Sequence, residues 1–230
     1  MSIAENLTEI EEKLTRAAKK SGRERSDILL LAVSKTIDVP HIKQAVDLGC
    51  TRLGENRVQE IMAKYDELPG VKWHLIGHLQ TNKVKYIVDK VELIHSVDSL
   101  KLGEEISKRS AAAGRTMDIL VEVNMAGEES KHGVSPEDAK RLCRELSALP
   151  NICIKGLMTV APYDPEPENN RVYFKKMKQL FDDIKAENYP NSDMKHLSMG
   201  MTNDYEVAVE EGADIVRVGT GIFGARDYSK

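Results

Sequence analysis

The sequence predicts an α/β fold: a closed (β/α)8 TIM barrel in one domain over residues 1–230, with an additional N-terminal helix. Three observations predict it. About eight short, β-branched apolar runs alternate with helical patterns, which implies a parallel sheet with right-handed crossovers. The length of 230 residues is near the ~250 that such barrels take. No GxGxxG turn follows the first strand, which ranks the open doubly wound sheet second.

The opening segment reads as a helix. Ile3, Leu7, Ile10, Leu14 and Ala17 recur at spacings of three and four and make one apolar stripe, which Ser21-Gly22 ends. Strand candidates then follow at 28–34, 52–54, 73–76, 93–97, 118–123, 152–160, 196–198 and 215–218. Helices fit between them. Ser135-Pro136-Glu137-Asp138 is a helix start, with Ser135 as N-cap and Pro136 in the first turn. Ala139, Leu142, Cys143, Leu146 and Leu149 form the buried face of that helix. Phe174, Met177, Phe181 and Ile184 do the same for the next. The proline-rich stretch 162–170 reads as a mobile loop on the barrel rim.

Composition sets limits on function. Hydrophobic residues make up 41% and charged residues 30%, as in an ordinary globular protein. The net charge is -4 and no basic stripe interleaves with aromatics, so no nucleic-acid partner is expected. Residues 1–20 alternate charge and hydrophobe, so neither a signal peptide nor a membrane partner is expected. Cys50, Cys143 and Cys153 have no CxxC spacing. An odd number without an export signal points to a reducing, cytoplasmic setting, with the cysteines packed as small hydrophobes. His74 and His78 are four apart but flank Gly77, and no HExxH supports them, so no metal is expected.

Barrels of this kind place their sites at the C-terminal ends of the strands, with phosphate commonly beyond the last two. The first apolar run, Ile28-Leu29-Leu30-Leu31-Ala32-Val33-Ser34, ends in Lys35. A strand-end lysine usually extends into solvent, but a desolvated one is a Schiff-base former. Ser198-Met199-Gly200-Met201-Thr202 follows the seventh strand, and Gly219-Thr220-Gly221 follows the eighth. Either loop alone is an ordinary turn. Together they offer backbone N–H groups and hydroxyls to a phosphate. Side-chain alternation puts Arg217 on the face of Gly219, inside the barrel mouth. Its partner there is either a core carboxylate or a pyridine nitrogen, which an arginine would keep unprotonated. An imine-forming lysine with a phosphate cup points to one cofactor, pyridoxal 5′-phosphate (PLP).

Several blocks resemble a known family. They are Val33-Ser34-Lys35-Thr36, Gly54-Glu55-Asn56-Arg57-Val58-Gln59-Glu60, His74 to Lys83, Gly156-Leu157-Met158-Thr159, Leu197 to Asp204 and Arg217 to Gly224. In this order, over residues 28 to 226, they resemble the YggS/PROSC family of pyridoxal phosphate homeostasis proteins. The resemblance implies a fold like the N-terminal barrel of alanine racemase, with Lys35 as the Schiff-base lysine. It implies that Ser198, Gly200, Met201, Gly219 and Thr220 ring the phosphate, that Arg217 faces the pyridine nitrogen, and that Asn56 and Met158 line the ring pocket. It further implies PLP homeostasis without an established catalytic reaction, with apo forms of PLP-dependent enzymes as candidate recipients. One departure is Ile37, where many members carry a second lysine; Lys131, in Ser130-Lys131-His132-Gly133, is a candidate second amine.

The chain is therefore expected to be a monomeric cofactor carrier and not an enzyme. The alternative is a PLP-dependent amino-acid racemase or decarboxylase of low activity. Racemisation needs proton donors on both faces of a planar carbanion. The sequence leaves no room after residue 226 for the second domain that supplies one in barrel racemases. A cofactor-free Schiff-base aldolase acting on a sugar phosphate stands third.

Overall fold

Eight short runs, buried along most of their length, close into a ring. In a computed structural model, which describes residues 2–128 and 131–224, eight parallel strands form a barrel in sequence order. They are β1 (Leu29–Val33), β2 (Arg52–Glu55), β3 (Lys72–Leu75), β4 (Val91–Val97), β5 (Met117–Glu122), β6 (Ile152–Met158), β7 (Ser192–Met201) and β8 (Ile215–Val218). The ring closes where Leu29, Leu30, Leu31 and Ala32 of β1 pair with Ile215 to Val218 of β8. Ser130 and the last two positions of the resembling stretch, 225 and 226, lie outside the described residues.

The helices are α1 (Ile3–Lys20), α2 (Val39–Asp47), α3 (Val58–Lys64), α4 (Leu100–Ala112), α5 (Pro136–Ser147), α6 (Arg171–Ala186), α7 (Tyr205–Glu210) and α8 (Thr220–Phe223). Helix α1 precedes the barrel. It starts with a capping box in which Glu5 N donates to Ser2 Oγ and Ser2 N to Glu5 Oε2. It packs on α7 and α8, and Asn6 Nδ2 donates to the Ile222 carbonyl over 2.9 Å. Ser135 caps α5 as its sequence requires, and Ala139, Leu142, Cys143 and Leu146 are buried under it. Leu149 falls beyond the helix end and is only partly buried.

Two elements differ from the sequence pattern. The β3–β4 crossover is a six-residue 3-10 helix, Thr81–Tyr86, with no α-helix. Val84 is buried within it, and Leu79, Ile87 and Val88 are buried on either side, so the crossover covers the sheet without a longer helix. Strand β7 starts at Ser192 rather than 196 and runs on to Met201. Its ends carry Asp193, Lys195 and Gly200, which conceal strand character, and its registers with β6 and β8 are both irregular. Gly156 shows why: with φ +153, a Cβ there would lie 1.7 Å from the His196 carbonyl oxygen, so β6 and β7 approach closely only over glycine.

Two apolar layers result. Leu31, Leu93, Leu120, Met158 and Ile215 fill the barrel interior. A larger cluster, including Val216 and Val218, joins the outer wall to the helices. The 162–170 stretch is tied to the rim: Asn170 Nδ2 donates to the Pro162 carbonyl and to Asp204 Oδ2, and Asn203 Nδ2 donates to the Asp164 carbonyl.

Candidate functional site

The C-terminal mouth of the barrel gathers the residues singled out from sequence. Lys35 follows β1 after one residue, Ser34, and is partly buried. The alternation that puts Leu31 in the interior brings Lys35 to the same side of the chain. Thr36 then turns in the left-handed region, φ +66, and its N–H donates to Glu60 Oε2 over 2.8 Å. Behind this turn, Lys64 Nζ reaches Glu55 Oε1 (2.7 Å), the Ser34 carbonyl (2.9 Å) and Glu60 Oε2 (3.1 Å). Ser34 Oγ donates to the same Glu55 oxygen over 2.7 Å. Burial raises the Glu55 carboxyl to about 7 despite this lysine. The cluster anchors the β1 end to α3, so the Lys35 backbone starts from a fixed point. Ile37 packs against the outer core and offers no amine.

Arg217 lies inside the mouth and is buried, while Val216 and Val218 face outward. Nη1 donates to Ser198 Oγ over 2.7 Å and Nη2 to the Thr159 carbonyl over 2.8 Å. Neither partner is a carboxylate. Burial lowers the guanidinium to about 10, opposed by the charges of Asp204 and Glu122. Ser198 Oγ also meets His95 Nδ1 at 3.0 Å, His95 Nε2 meets His74 Nδ1 at 2.9 Å, and His74 Nε2 meets Glu92 Oε2 at 3.2 Å. Both histidines are buried, and desolvation lowers their pKa values, His95 strongly.

Beyond β8, three donors converge on one oxygen. Gly219 N–H, Gly221 N–H and Thr220 Oγ1 all approach Thr202 Oγ1, at 3.4, 3.4 and 3.3 Å. These are longer than the ~2.9 Å of a good N–H···O bond, so the donors are only loosely satisfied. Gly221 has no space for a side chain, since a Cβ would lie 2.9 Å from Val218 Cγ1. The β7 turn is built differently. Gly200, at φ +89, lets α7 close in, because a Cβ would lie 2.5 Å from Ala208 Cβ. The Met201 N–H is already given to Asp204 Oδ1 at 2.7 Å.

Asn56 sits at the end of β2 with its backbone pressed by Gly77, where a Cβ would lie 2.4 Å from the Asn56 carbonyl oxygen. Met158 is fully buried with the interior cluster, beneath the mouth. Beside it in register, Glu122 is buried with Oε2 lacking any hydrogen-bond partner among the described residues. Burial, then repulsion from Asp98, raises it to about 7, against the pull of Arg217.

His74 and His78 do not converge, because His74 points to His95 in the interior and His78 stands exposed at the rim. His78 instead meets Asp98 and His132, with ligand-type atoms within 4.8 Å of one another. The His78 and His132 rings stack at 4.0 Å and 13°, so their in-plane lone pairs lie in separate planes and do not meet at one ion. Lys131 Nζ pairs with Glu128 Oε1 at 2.9 Å. All three cysteines are free, and burial raises Cys50 to about 11 and Cys143 to about 12. Thr202 belongs to the stretch read as a phosphate cup, whereas His95, Glu122 and Asp204 are residues of this region that the sequence reading did not place in a site. For His95 a signal existed, a lone histidine inside an apolar strand on the face of Leu93.

Comparison with known proteins follows the geometry. The model of the alanine racemase N-terminal domain matches residues 6–227. A pyridoxal phosphate homeostasis protein of Aquifex aeolicus is 46% identical over 230 residues, covering 99% of this chain and 100% of its own. One from Haemophilus influenzae is 38% identical over 234 residues, covering 100% of this chain and 98% of its own. The structure of PipY from Synechococcus elongatus with PLP bound superposes with a TM-score of 0.83 at 33% identity, covering 97% of this chain and 100% of that one. No helix among the described residues is long and apolar enough to cross a membrane. Matched from near one end to the other by that family model and by relatives of like length, the chain belongs to the pyridoxal phosphate homeostasis proteins, built on the alanine racemase N-terminal domain.

Proposed function

We propose that this chain binds PLP through a Schiff base on Lys35 and holds it for intracellular homeostasis, without turning over a substrate. The observation that carries the reading is the convergence of Gly219 N–H, Thr220 Oγ1 and Gly221 N–H on one loosely held hydroxyl, at the mouth that Lys35 and Arg217 share. A phosphate oxygen in place of that hydroxyl would satisfy all three donors better. The residues therefore fit the cofactor. Lys35 supplies the amine and Arg217 faces the pyridine nitrogen. Asn56 and Met158 line the ring. Gly219 and Thr220 cradle the phosphate, with Ser198, Gly200 and Met201 forming the adjoining wall. The PLP bound in PipY, a relative of like length, supports this reading. When bound, PLP supplies an electron sink, and an arginine at its nitrogen makes that sink weak. This suits holding better than carbanion chemistry.

The carrier works as a monomer in the cytoplasm and delivers PLP to apo-enzymes that need it. Racemisation would need a second proton donor opposite Lys35. Cys50 and Cys143 lie in the outer core, away from the mouth.

The test is direct. Purified protein incubated with PLP should become yellow, and borohydride should bleach it and fix the cofactor mass on the Lys35 peptide. Lys35→Ala should abolish both while circular dichroism stays unchanged. A protein that remains colourless, or a cofactor fixed on another lysine, overturns the reading. Amino-acid racemisation above ~1 turnover per second, typical of a real enzyme, would overturn the carrier role alone.

A further inference from the structure

Five polar side chains line the barrel interior end to end: Glu92, His74, His95, Ser198 and Arg217. Arg217 has no acceptor, so Nη1 donates to Ser198 Oγ. The Ser198 hydroxyl can then give its proton to His95 Nδ1, which in that arrangement is the bare nitrogen. His95 carries its proton on Nε2 and donates it to His74 Nδ1. His74 in turn carries its proton on Nε2 and donates to the Glu92 carboxylate. The opposite arrangement fails at its far end. It would present the bare Nε2 of His74 to an ionised carboxylate, two acceptors facing each other at 3.2 Å. With both histidines neutral, as burial favours, this set of proton positions satisfies every group.

All the dipoles therefore run one way, with their positive ends toward Glu92 and their negative ends toward Arg217. Glu92 is fixed at its end by Lys72 Nζ (2.9 Å) and Arg52 Nε (3.1 Å). A buried guanidinium with neutral hydrogen-bond partners is costly. A polarised chain ending in a carboxylate offsets that cost, because each bond strengthens the next in a low-dielectric interior.

We propose that His95 and His74 are positioning residues: with Glu92 they form a directed hydrogen-bond relay that fixes the Ser198 hydroxyl and, through it, the orientation and charge of Arg217. Glu92 thus acts on the cofactor mouth from the opposite end of the barrel. Only the last step, from Arg217 to the cofactor ring, rests on the proposed function.

The relay is tested first without cofactor. Nitrogen-15 imidazole spectra of the apo-protein should show His74 and His95 as neutral Nε2–H tautomers. Glu92→Leu, at a half-exposed position, removes the terminal acceptor. It should move the His95 resonances and the Arg217 Nε–H resonance, although Glu92 touches neither. An Nδ1–H tautomer at His95, or unmoved His95 and Arg217 signals, overturns the relay. In PLP-loaded protein, His95→Leu should shift the visible band and weaken PLP binding about 10-fold, the lower end of what losing an outer partner costs a bound group. His95→Asn, which still offers Ser198 an acceptor, should restore most of both. An unchanged band and affinity in His95→Leu also overturns the proposal. If wild-type protein takes up no PLP, the function fails, and the apo spectra still decide the relay.

Discussion

Arg217 and Ser198 are joined by a 2.7 Å hydrogen bond across the β7–β8 seam, and the guanidinium's second bond goes to the Thr159 carbonyl. The cation is thereby held by neutral acceptors, and its charge is left for whatever enters the mouth.

Replacing that cation should change electronics before affinity. Arg217→Glu should shift the absorption and protonation of bound PLP more than it weakens binding. Spectra and titration of loaded protein check this, and a spectrum identical to wild type would make Arg217 structural only.

The cluster behind Lys35 should be worth much to stability. Lys64 is nearly buried and bonds Glu55, Glu60 and the Ser34 carbonyl together. Lys64→Met leaves Glu55 without its cation and should destabilise the protein by about 3–5 kcal/mol at about pH 8, measured by urea unfolding. The double variant with Glu55→Gln should recover part of the loss; strict additivity would show that the two side chains are uncoupled.

Glu122 should give stability a particular pH dependence. Its folded pKa is raised from 4.5 to about 7. Between these values the unfolded chain gives up the proton while the folded protein keeps it. The group's contribution is full below pH 4.5 and is lost as pH rises through 7. Glu122→Gln should match wild type at about pH 4 and exceed it by up to about 3 kcal/mol at about pH 8, at 1.36 kcal/mol per unit. Denaturant unfolding at the two pH values checks it, and an equal difference at both would contradict it.

Gly200 is required twice over, by its left-handed backbone and by the approach of α7. Gly200→Ala should combine about 1–3 kcal/mol of backbone strain with about 1–3 kcal/mol of overpacking against Ala208 and Tyr205. Thermal unfolding measures the sum. A loss under ~1 kcal/mol would mean that α7 moves aside freely.

The same residues show how far local pattern reaches. Period-two alternation suffices to place Leu31 and Arg217 inside the barrel and Val216 and Val218 outside, because pleating depends on the chain alone. Helix spacing suffices for Phe174, Met177, Phe181 and Ile184, and Ser135-Pro136 for the start of α5. The eight strands and their order follow from these signals. The length of β7 does not, since its polar ends are strand only because β6 and β8 pair with them.

The sequence by itself determined the barrel, the amine at the end of β1 and the glycine turns after β7 and β8. Tertiary structure alone decided who meets whom across the interior: His95 with Ser198, 103 residues on, and Arg217 with Thr159, 58 residues back. It also decided that the Met201 N–H goes to Asp204 while the donors at Gly219 and Gly221 stay loosely held. The reason is that alternation is set residue by residue, whereas a hydrogen-bond partner is set by closure and register, which the glycine-dependent approach of β6 to β7 adjusts beyond the reach of any local pattern.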